Sequence, residues 1–243
     1  MSDVNVPRNE NEYVEIVDYY DSLLTSGYYD FESLGNTLHD LIGDGKKILD
    51  IGVGTGLLTK KMLELDDYEI VGVDFSPGML ERAQERLADS DVELVCEDIL
   101  KFETEEKFDA VVSSGGAVYM VEEEGEYRLY SHITDKIKNE QLLEKLCSYL
   151  KQDGVLALAI QGPHENYRKK IKGDILYEQR IDKQDSYVNK WYTFSKPDGT
   201  VLTEQFCRFR FFEGKKTEKI FNRAGFSVKS RIVGGKFWVG SPS

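Results

Sequence analysis

Short, nearly continuous apolar runs alternate with amphipathic stretches along the middle of the chain. The apolar runs lie at residues 47–51, 69–74, 92–96, 107–114 and 155–160. Runs of this kind are typical of parallel strands that are buried on both faces, and helical periodicity separates them. Strands that alternate with helices indicate crossover units, so the pattern predicts an α/β fold built on a parallel sheet.

The pattern changes on both sides of this region. Residues 13–24 and 34–42 have the periodicity of amphipathic helices, with tyrosines and phenylalanines clustered around Gly27. Residues 122–150 are interpreted as one long helix that carries His132. Segments 177–183, 187–194 and 201–212 alternate apolar and polar residues, which predicts an antiparallel ribbon or sheet. A helix at 217–224 and a hairpin at 227–239 end the predicted order.

A glycine-rich turn follows the first predicted strand. It contains Asp50, Gly52, Gly54 and Gly56, and it leads into the first crossover helix. Open α/β sheets bind ligands at the carboxyl ends of their strands, and glycine lets a ligand approach the backbone closely. The spacing G-x-G-x-G departs from the dinucleotide fingerprint, whose last glycine is replaced by Leu57. Asp50 would repel a pyrophosphate but suits an ammonium group; a glycine loop without any ligand is the alternative.

Two further acidic residues follow strands. Asp74 ends the second strand, about 20 positions beyond the turn, where a carboxylate can accept hydrogen bonds from ribose hydroxyls. Asp98 follows the third strand. A helix cap explains Asp74, and a solvated loop explains Asp98, if no ligand binds there.

The turn resembles the first motif, D/E-x-G-x-G-x-G, of the class I S-adenosylmethionine-dependent methyltransferases. Asp50, Gly52, Gly54 and Gly56 match that motif position by position. The resemblance is most specific over residues 48–120 and weakest over residues 162–212. Within the family, the chain is similar to the small-molecule methyltransferases that act on sugar amines and other amines.

The resemblance implies a Rossmann-like, doubly wound, seven-stranded methyltransferase sheet with an antiparallel β insertion after the fifth strand. The implied organisation has four parts. They are an N-terminal helical lid (1–45), an S-adenosylmethionine-binding Rossmann-like core (46–161), an inserted antiparallel region for acceptor binding or dimerisation (162–212), and a C-terminal helix and hairpin that complete the core sheet (213–243).

The resemblance also implies a set of residues that bind S-adenosyl-L-methionine. Asp74 is the implied ribose acid, Asp98 receives the adenine amino group, and Tyr20 and Phe31 close over the sulfonium. The full predicted set is Tyr20, Phe31, Asp50, Gly52, Gly54, Gly56, Asp74, Phe75, Met79, Asp98, Ile99 and Ser114. No His-rich or D-x-D cluster lies near the predicted reaction centre, so no metal is expected.

Methyl transfer from a sulfonium is an in-line displacement, for which an enzyme mainly supplies alignment and excludes water. A dedicated catalytic residue is therefore not required. Tyr20, Tyr119 and His164 are the candidates for any base that an amine or a hydroxyl acceptor needs.

Composition limits the classes of partner that the chain is expected to bind. The formal net charge is −13 and no basic stripe offsets it, so the sequence argues against nucleic acid and anionic membranes and favours small neutral or cationic acceptors. The three cysteines are too few for a disulfide framework. No apolar run reaches the ~20 residues of a membrane span, and the polar start does not resemble a signal peptide, so a cytoplasmic location is expected.

The sequence therefore predicts a methyltransferase that acts on an amine or a hydroxyl of a small molecule, with a homodimer through the inserted region as one further expectation. Two other functions stay open. One is a reaction of the cofactor without methyl transfer, such as its intramolecular cyclisation. The other is a metabolite-binding module that uses the fold without catalysis.

Overall fold

The computed structural model describes residues 13–243, except for the side chains of residues 228–231. The strands within the described residues are β1 (Lys47–Ile51), β2 (Glu69–Asp74), β3 (Glu93–Cys96), β4 (Phe108–Ser113), β5 (Val118–Glu123), β6 (Glu126–Ser131), β7 (Leu150–Gln161), β8 (Tyr167–Ile171), β9 (Ile175–Lys183), β10 (Tyr187–Ser195), β11 (Val201–Phe212), β12 (Phe226–Val233) and β13 (Phe237–Pro242). They form one mixed sheet with a parallel part and an antiparallel part.

The α-helices of the described residues are α1 (Val17–Leu23), α2 (Phe31–Ile42), α3 (Leu57–Leu63), α4 (Pro77–Arg86), α5 (Lys136–Tyr149) and α6 (Gly214–Arg223). A 3-10 turn (Val14–Ile16) precedes α1, and a π-helical stretch (Leu24–Tyr28) follows it. Local sequence sets several of the helix starts. The Asp30 carboxylate caps α2 by accepting a hydrogen bond from the Ser33 amide at 3.1 Å, and Pro77 occupies the first turn of α4.

The parallel part has the strand order β3-β2-β1-β4-β7-β13-β12, in which only β13 and β12 run antiparallel to their neighbours. Alternate side chains of the central strands enter two different cores. Leu49 and Ile51 pack on the face covered by α5 and α6, whereas Ile48 packs on the face covered by α2 and α3. Because helices cover both faces, the sheet is doubly wound, and the predicted α/β fold is confirmed.

The antiparallel part has the order β5-β6-β11-β10-β9-β8 and joins the parallel part where Met120 of β5 pairs with Ile160 of β7. Its inner face carries a third core rich in aromatic side chains, among them Tyr119, Phe194 and Phe209. This core lies beyond the carboxyl end of β7, so the antiparallel part stands over the edge of the sheet at which a ligand is expected.

The prediction of one long helix over residues 122–150 is wrong for nearly its first half, up to residue 135. Residues 118–131 form the β5–β6 hairpin, and α5 begins only at Lys136. Glu124 and Gly125 both have positive φ angles, 54° and 78°, which matches the right-handed twist that a two-residue hairpin turn requires. His132 consequently lies just after β6 and not on a helix. Strands of the antiparallel part therefore occur before β7 as well as after it.

The N-terminal helices pack against both parts of the sheet. Ile16 and Leu23 are fully or almost fully buried in the aromatic core. The Tyr13 and Tyr192 hydroxyls are 3.2 Å apart, and Thr203 donates a hydrogen bond to the Glu15 carbonyl oxygen at 2.7 Å. Residues 1–12 of the predicted lid lie outside the described residues.

Substitution of Phe194 tests how much the packing against the N-terminal segment contributes to stability. Its side chain is completely buried, and its ring lies 5.5 Å from that of Tyr19 and 5.2 Å from that of Tyr177. We expect Phe194→Ala to lower the free energy of unfolding by about 3–5 kcal/mol, because it leaves a cavity in the aromatic core. The control is Val201→Ala, since Val201 is 54% exposed; it should change stability by less than about 0.5 kcal/mol. Equal effects of the two substitutions in urea unfolding would contradict this packing.

Candidate functional site

The carboxyl ends of β1, β2 and β4 meet at one edge of the sheet, and three cavities adjoin there. The largest of these three, called the large cavity, has a volume of about 260 Å³ and includes Gly54, Asp74 and Asp98 in its lining. The Asp50 cavity, about 40 Å³, is lined by Asp50 and Ser114 among others. The third is the Lys190 cavity.

The Lys190 cavity has a volume of about 20 Å³ and lies under the antiparallel part, where Tyr28, Tyr119, Lys190 and Tyr192 contribute to its lining. Tyr20 and Gly115 line all three cavities. The three cavities therefore meet at one point, beside the ring of Tyr20.

Contact between two glycine-containing loops shapes the large cavity. A Cβ on Gly116 would lie 2.2 Å from the Ile51 carbonyl oxygen, and one on Gly52 would lie 2.4 Å from the Gly116 Cα. A Cβ on Gly54 would meet nothing closer than 4.0 Å, so this residue borders open space. Gly56 differs, because it packs against the side chain of Leu87. It helps α3 and α4 approach each other and does not line the large cavity.

Two buried carboxylates stand beside this turn. The Asp74 carboxylate accepts hydrogen bonds from the Gly54 and Ser76 amides, both at 2.9 Å. The Asp50 carboxylate accepts one from the Thr59 hydroxyl at 2.8 Å. Burial raises the pKa of both groups, and that of Asp50 rises to about 6. Burial of a carboxylate without a cation is unfavourable, so a ligand that brings an ammonium group to Asp50 would relieve this cost.

The far end of the large cavity is largely apolar. Met79 and Ile99 are buried there, Phe75 is 45% exposed, and all three residues line the cavity. Asp98 lies at the same end, where its carboxylate accepts a hydrogen bond from the Leu100 amide at 3.0 Å. An aromatic base could pack against the apolar side chains while its exocyclic amino group donates to Asp98.

Two serine hydroxyls support the presence of a polar ligand. The Ser76 and Ser114 Oγ atoms are buried and have no hydrogen-bond partner among the described residues. Ser76 lines the large cavity and Ser114 lines the Asp50 cavity. Buried hydroxyl groups are normally hydrogen-bonded, so each of these atoms is available to a polar group of a ligand. Together with the two carboxylates, they fit a nucleoside that bears an amino-acid moiety.

Helix α1 is tied directly to the glycine turn. The Asp21 carboxylate accepts a hydrogen bond from the Thr55 hydroxyl at 2.6 Å and forms an ion pair with Arg86 of α4. This arrangement holds Tyr20 at the meeting point of the three cavities. Phe31, at the start of α2, lines the Asp50 cavity. The two aromatic residues predicted to cover the sulfonium are therefore brought to the same site.

The predicted base candidates have unequal positions. Tyr119 lines the Lys190 cavity, whereas His164 lines a neighbouring groove, with its Nε2 atom 3.5 Å from the Tyr119 hydroxyl. Burial raises the pKa of Tyr119 and of Tyr20, so both phenols stay protonated and act as hydrogen-bond donors. Burial, with Lys190 nearby, lowers the pKa of His164. None of the three has a pKa near neutrality, the range suited to a general base.

Lys190 and His132 are functional candidates that the sequence analysis did not predict. His132 lines both the large cavity and the Lys190 cavity, and burial lowers its pKa to about 3. Burial lowers the pKa of Lys190 to about 7. A signal for Lys190 was present, because strand periodicity places it on the same face of β10 as the buried Val188 and Tyr192.

The described residues contain no group of three or more His, Cys, Asp or Glu that could hold a metal ion. None of the helices in that part of the chain is long and apolar enough to cross a membrane.

Comparison with known proteins identifies relatives of the chain. Residues 48–154 match a family model described as a methyltransferase domain. Malonyl-[acyl-carrier protein] O-methyltransferase of Acetivibrio thermocellus is 34% identical over 157 residues, which cover 59% of this chain and 50% of that protein. Malonyl-[acyl-carrier protein] O-methyltransferase 1 of Ilyobacter polytropus is 32% identical over 200 residues, 78% of this chain and 68% of that protein. The match thus spans half the length of the first of these relatives.

Solved structures share the fold. An S-adenosylmethionine-dependent methyltransferase from Clostridium acetobutylicum has a TM-score of 0.72 with this chain at 16% identity, over 94% of this chain and 98% of that one. Identity this low shows a common fold and leaves substrates open.

Gly116→Ala tests the contact between the two loops. The new Cβ would overlap backbone atoms of Ile51 and Gly52, which cannot move without shifting the strand end. We expect a loss of about 1–3 kcal/mol in the free energy of unfolding. Gly162→Ala is the matched control, because a Cβ there meets nothing within 4 Å and should have little effect. Urea unfolding in which Gly116→Ala is as stable as the wild type would contradict the close contact.

Proposed function

The chain belongs to the class I S-adenosylmethionine-dependent methyltransferases, and on this basis we propose that it transfers a methyl group to a small-molecule acceptor in the Lys190 cavity. S-adenosylmethionine is the cofactor of this family. The sequence predicts that the methylated group of the acceptor is an amine or a hydroxyl. The single observation that carries the proposal is the meeting of the three cavities at Tyr20 and Gly115.

We assign one part of the cofactor to each of the first two cavities. The adenosine lies in the large cavity, with its ribose at Asp74 and its base between Met79 and Ile99. The amino acid lies in the Asp50 cavity, where its ammonium group would be close to a buried carboxylate that has a hydrogen bond from Thr59 but no cation beside it. The buried hydroxyls of Ser76 and Ser114 support this assignment, because each lies in the cavity that would receive polar atoms.

Bound S-adenosylmethionine supplies an electrophilic methyl group and a neutral thioether leaving group. The residues of the chain align the acceptor and keep water out. Tyr20 lines both the large cavity and the Lys190 cavity. The phenols of Tyr28 and Tyr119 stay protonated, so they can orient an acceptor by donating hydrogen bonds. Alignment of two reacting groups in a closed site contributes ~7–11 kcal/mol to lowering a barrier.

The alternatives differ in their products. Intramolecular cyclisation of the cofactor needs no acceptor cavity, and a binding module yields no product at all. The presence of the Lys190 cavity next to the meeting point favours methyl transfer over both. Mass spectrometry after incubation with S-adenosylmethionine, with and without a pool of candidate acceptors, tests this. We expect S-adenosylhomocysteine to form only when an acceptor is present; a cyclised cofactor fragment, or an unchanged cofactor throughout, would contradict the proposal.

Several expectations from the sequence remain predictions. They are the cytoplasmic location, a homodimer through residues 162–212, the four-part division of the chain, and the absence of nucleic acid and membrane partners. The formal net charge of the chain, −13, supports the exclusion of nucleic acid.

Asp74→Ala tests the ribose assignment. Removing hydrogen bonds to a charged group should weaken S-adenosylhomocysteine binding by about 1.5–3 kcal/mol, or about 10- to 150-fold, measured by calorimetry. Glu69→Ala is the control, because Glu69 lies at the opposite, exposed end of β2. An unchanged affinity in folded Asp74→Ala would remove Asp74 from the site.

Tyr20→Ala tests whether this ring stabilises a sulfonium. A cation beside an aromatic face gains ~0.5–2 kcal/mol, and a neutral thioether gains none of it. We expect the substitution to weaken binding of S-adenosylmethionine about 2- to 30-fold more than binding of S-adenosylhomocysteine. Tyr20→Phe keeps the ring and should retain most of the difference. Equal losses for the two ligands would show that Tyr20 contributes packing alone.

A further inference from the structure

Lys190 is a buried amine that has no carboxylate beside it among the described residues. It is 1% exposed, and its Nζ atom donates a hydrogen bond to the Tyr28 hydroxyl at 3.2 Å. Nζ also lies 4.3 Å from the ring centroid of Tyr192. Among the described residues, no carboxylate forms an ion pair with Lys190, and none lines the Lys190 cavity. Burial without a carboxylate disfavours the ammonium form of Lys190, so an anionic group of a ligand in this cavity would stabilise the charged form.

We propose that the acceptor presents an acidic oxygen, a carboxylate or an ionised hydroxyl, that pairs with Lys190. This inference rests on the proposed function and narrows its acceptor class. An amine would instead call for a carboxylate in the lining, and an ammonium form of the acceptor would be repelled by Lys190. The net negative charge of the chain opposes anion binding, but solvent and salt screen surface charges far more than a charge inside a closed cavity.

Methyl transfer to an acceptor oxygen paired with Lys190 needs no further residue to supply electrons or remove a proton. The acceptor oxygen supplies the electron pair of the new carbon–oxygen bond, and the carbon–sulfur bond breaks with its pair remaining on sulfur. An ionised acceptor has no proton to lose. A neutral hydroxyl can first transfer its proton to unprotonated Lys190, which produces the same ion pair. Lys190 is therefore a positioning residue for a carboxylate and a base for a hydroxyl.

The remainder of the acceptor needs space outside the Lys190 cavity, whose volume of about 20 Å³ holds only a small group. An outer groove of about 360 Å³ shares the residues Leu23, Tyr28, Tyr29 and Gln161 with that cavity. Gln161 donates a hydrogen bond to the Tyr29 hydroxyl at 2.6 Å in the shared wall. The acceptor therefore extends from Lys190 past this wall into the outer groove.

The tyrosines and histidines that face Lys190 do not titrate near neutral pH, so they would not imitate its effect. The titratable groups that face it are Tyr13, Tyr20, Tyr28, Tyr29, Tyr119, His132, His164, Tyr192 and Cys207. Burial raises the pKa of the tyrosines and lowers that of both histidines. An anion binds the protonated form of Lys190, so its affinity should fall as the pH rises above the pKa of this group, about 7.

The experiment measures binding of two pairs of compounds. Benzoate is compared with benzamide, which has nearly the same shape but no charge, and phenol is compared with anisole, which lacks the hydroxyl proton. Each is titrated by NMR into wild-type protein saturated with S-adenosylhomocysteine, whose own binding is first measured by calorimetry. At pH 6.5 we expect at least a tenfold preference for benzoate, falling about tenfold per pH unit above pH 7. A preference for phenol over anisole would indicate that the acidic oxygen of the acceptor is a hydroxyl. A preference for benzoate alone would indicate that it is a carboxylate.

Lys190→Met and Lys190→Gln should lose the preference and its pH dependence while binding S-adenosylhomocysteine as the wild type does, which also shows that they are folded. Lys196→Met is the control, because Lys196 is exposed beyond the end of the same strand. The inference would be overturned if the wild type bound both members of each pair equally, or preferred benzamide and anisole. It would also be overturned if neither benzoate nor phenol bound, or if the preference survived in both Lys190 variants. If the wild type fails to bind S-adenosylhomocysteine, the proposed function itself is wrong.

Discussion

The contact between the glycine turn after β1 and the loop after β4 is the constraint on which the rest of the site depends. The two backbones touch at Gly52 and Gly116, where no side chain fits between them. This contact leaves Gly54 facing open space and brings Asp50 and Asp74 to the same edge of the sheet. Both carboxylates are buried beside the turn, and burial raises the pKa of each. A ligand that supplies hydroxyl and ammonium groups compensates for the loss of water around them.

The N-terminal helices and the antiparallel part close this edge from two sides. Asp21 is tied to Thr55 and Arg86, so that Tyr20 is held above the glycine turn. On the other side, β10 brings Lys190 into the aromatic core beneath the antiparallel part. The sulfonium assigned to the meeting point would thus have an aromatic ring beside it and an acceptor cavity beyond it. Methyl transfer needs this alignment more than it needs a strong base.

How much could be predicted from the sequence differs between the two halves of the site. The parallel strands were predicted because their side chains are buried on both faces, which gives nearly continuous apolar runs. The turn at Asp50 and the acid at Asp74 followed from strand ends, which the sequence marks well. The alternation in β10 indicates that Lys190 faces a core, but its position beside the cavity depends on strand pairing between distant segments, which leaves no local signal. The helix predicted at 122–150 was wrong because a two-residue turn at Glu124 separates two short strands, and a run of acidic residues there obscured the alternation.

The central claim is that the reactive methyl group lies where the three cavities meet. Nuclear Overhauser effects from S-adenosylmethionine labelled with ¹³C at that methyl, bound to the protein without acceptor, test it most directly. We expect contacts from the methyl protons to the rings of Tyr20 and Tyr28, with none to Met79 or Ile99 at the far end of the large cavity. Contacts to Met79 and Ile99, with none to Tyr20, would contradict this placement of the methyl group, because the cofactor would then bind in the reverse direction.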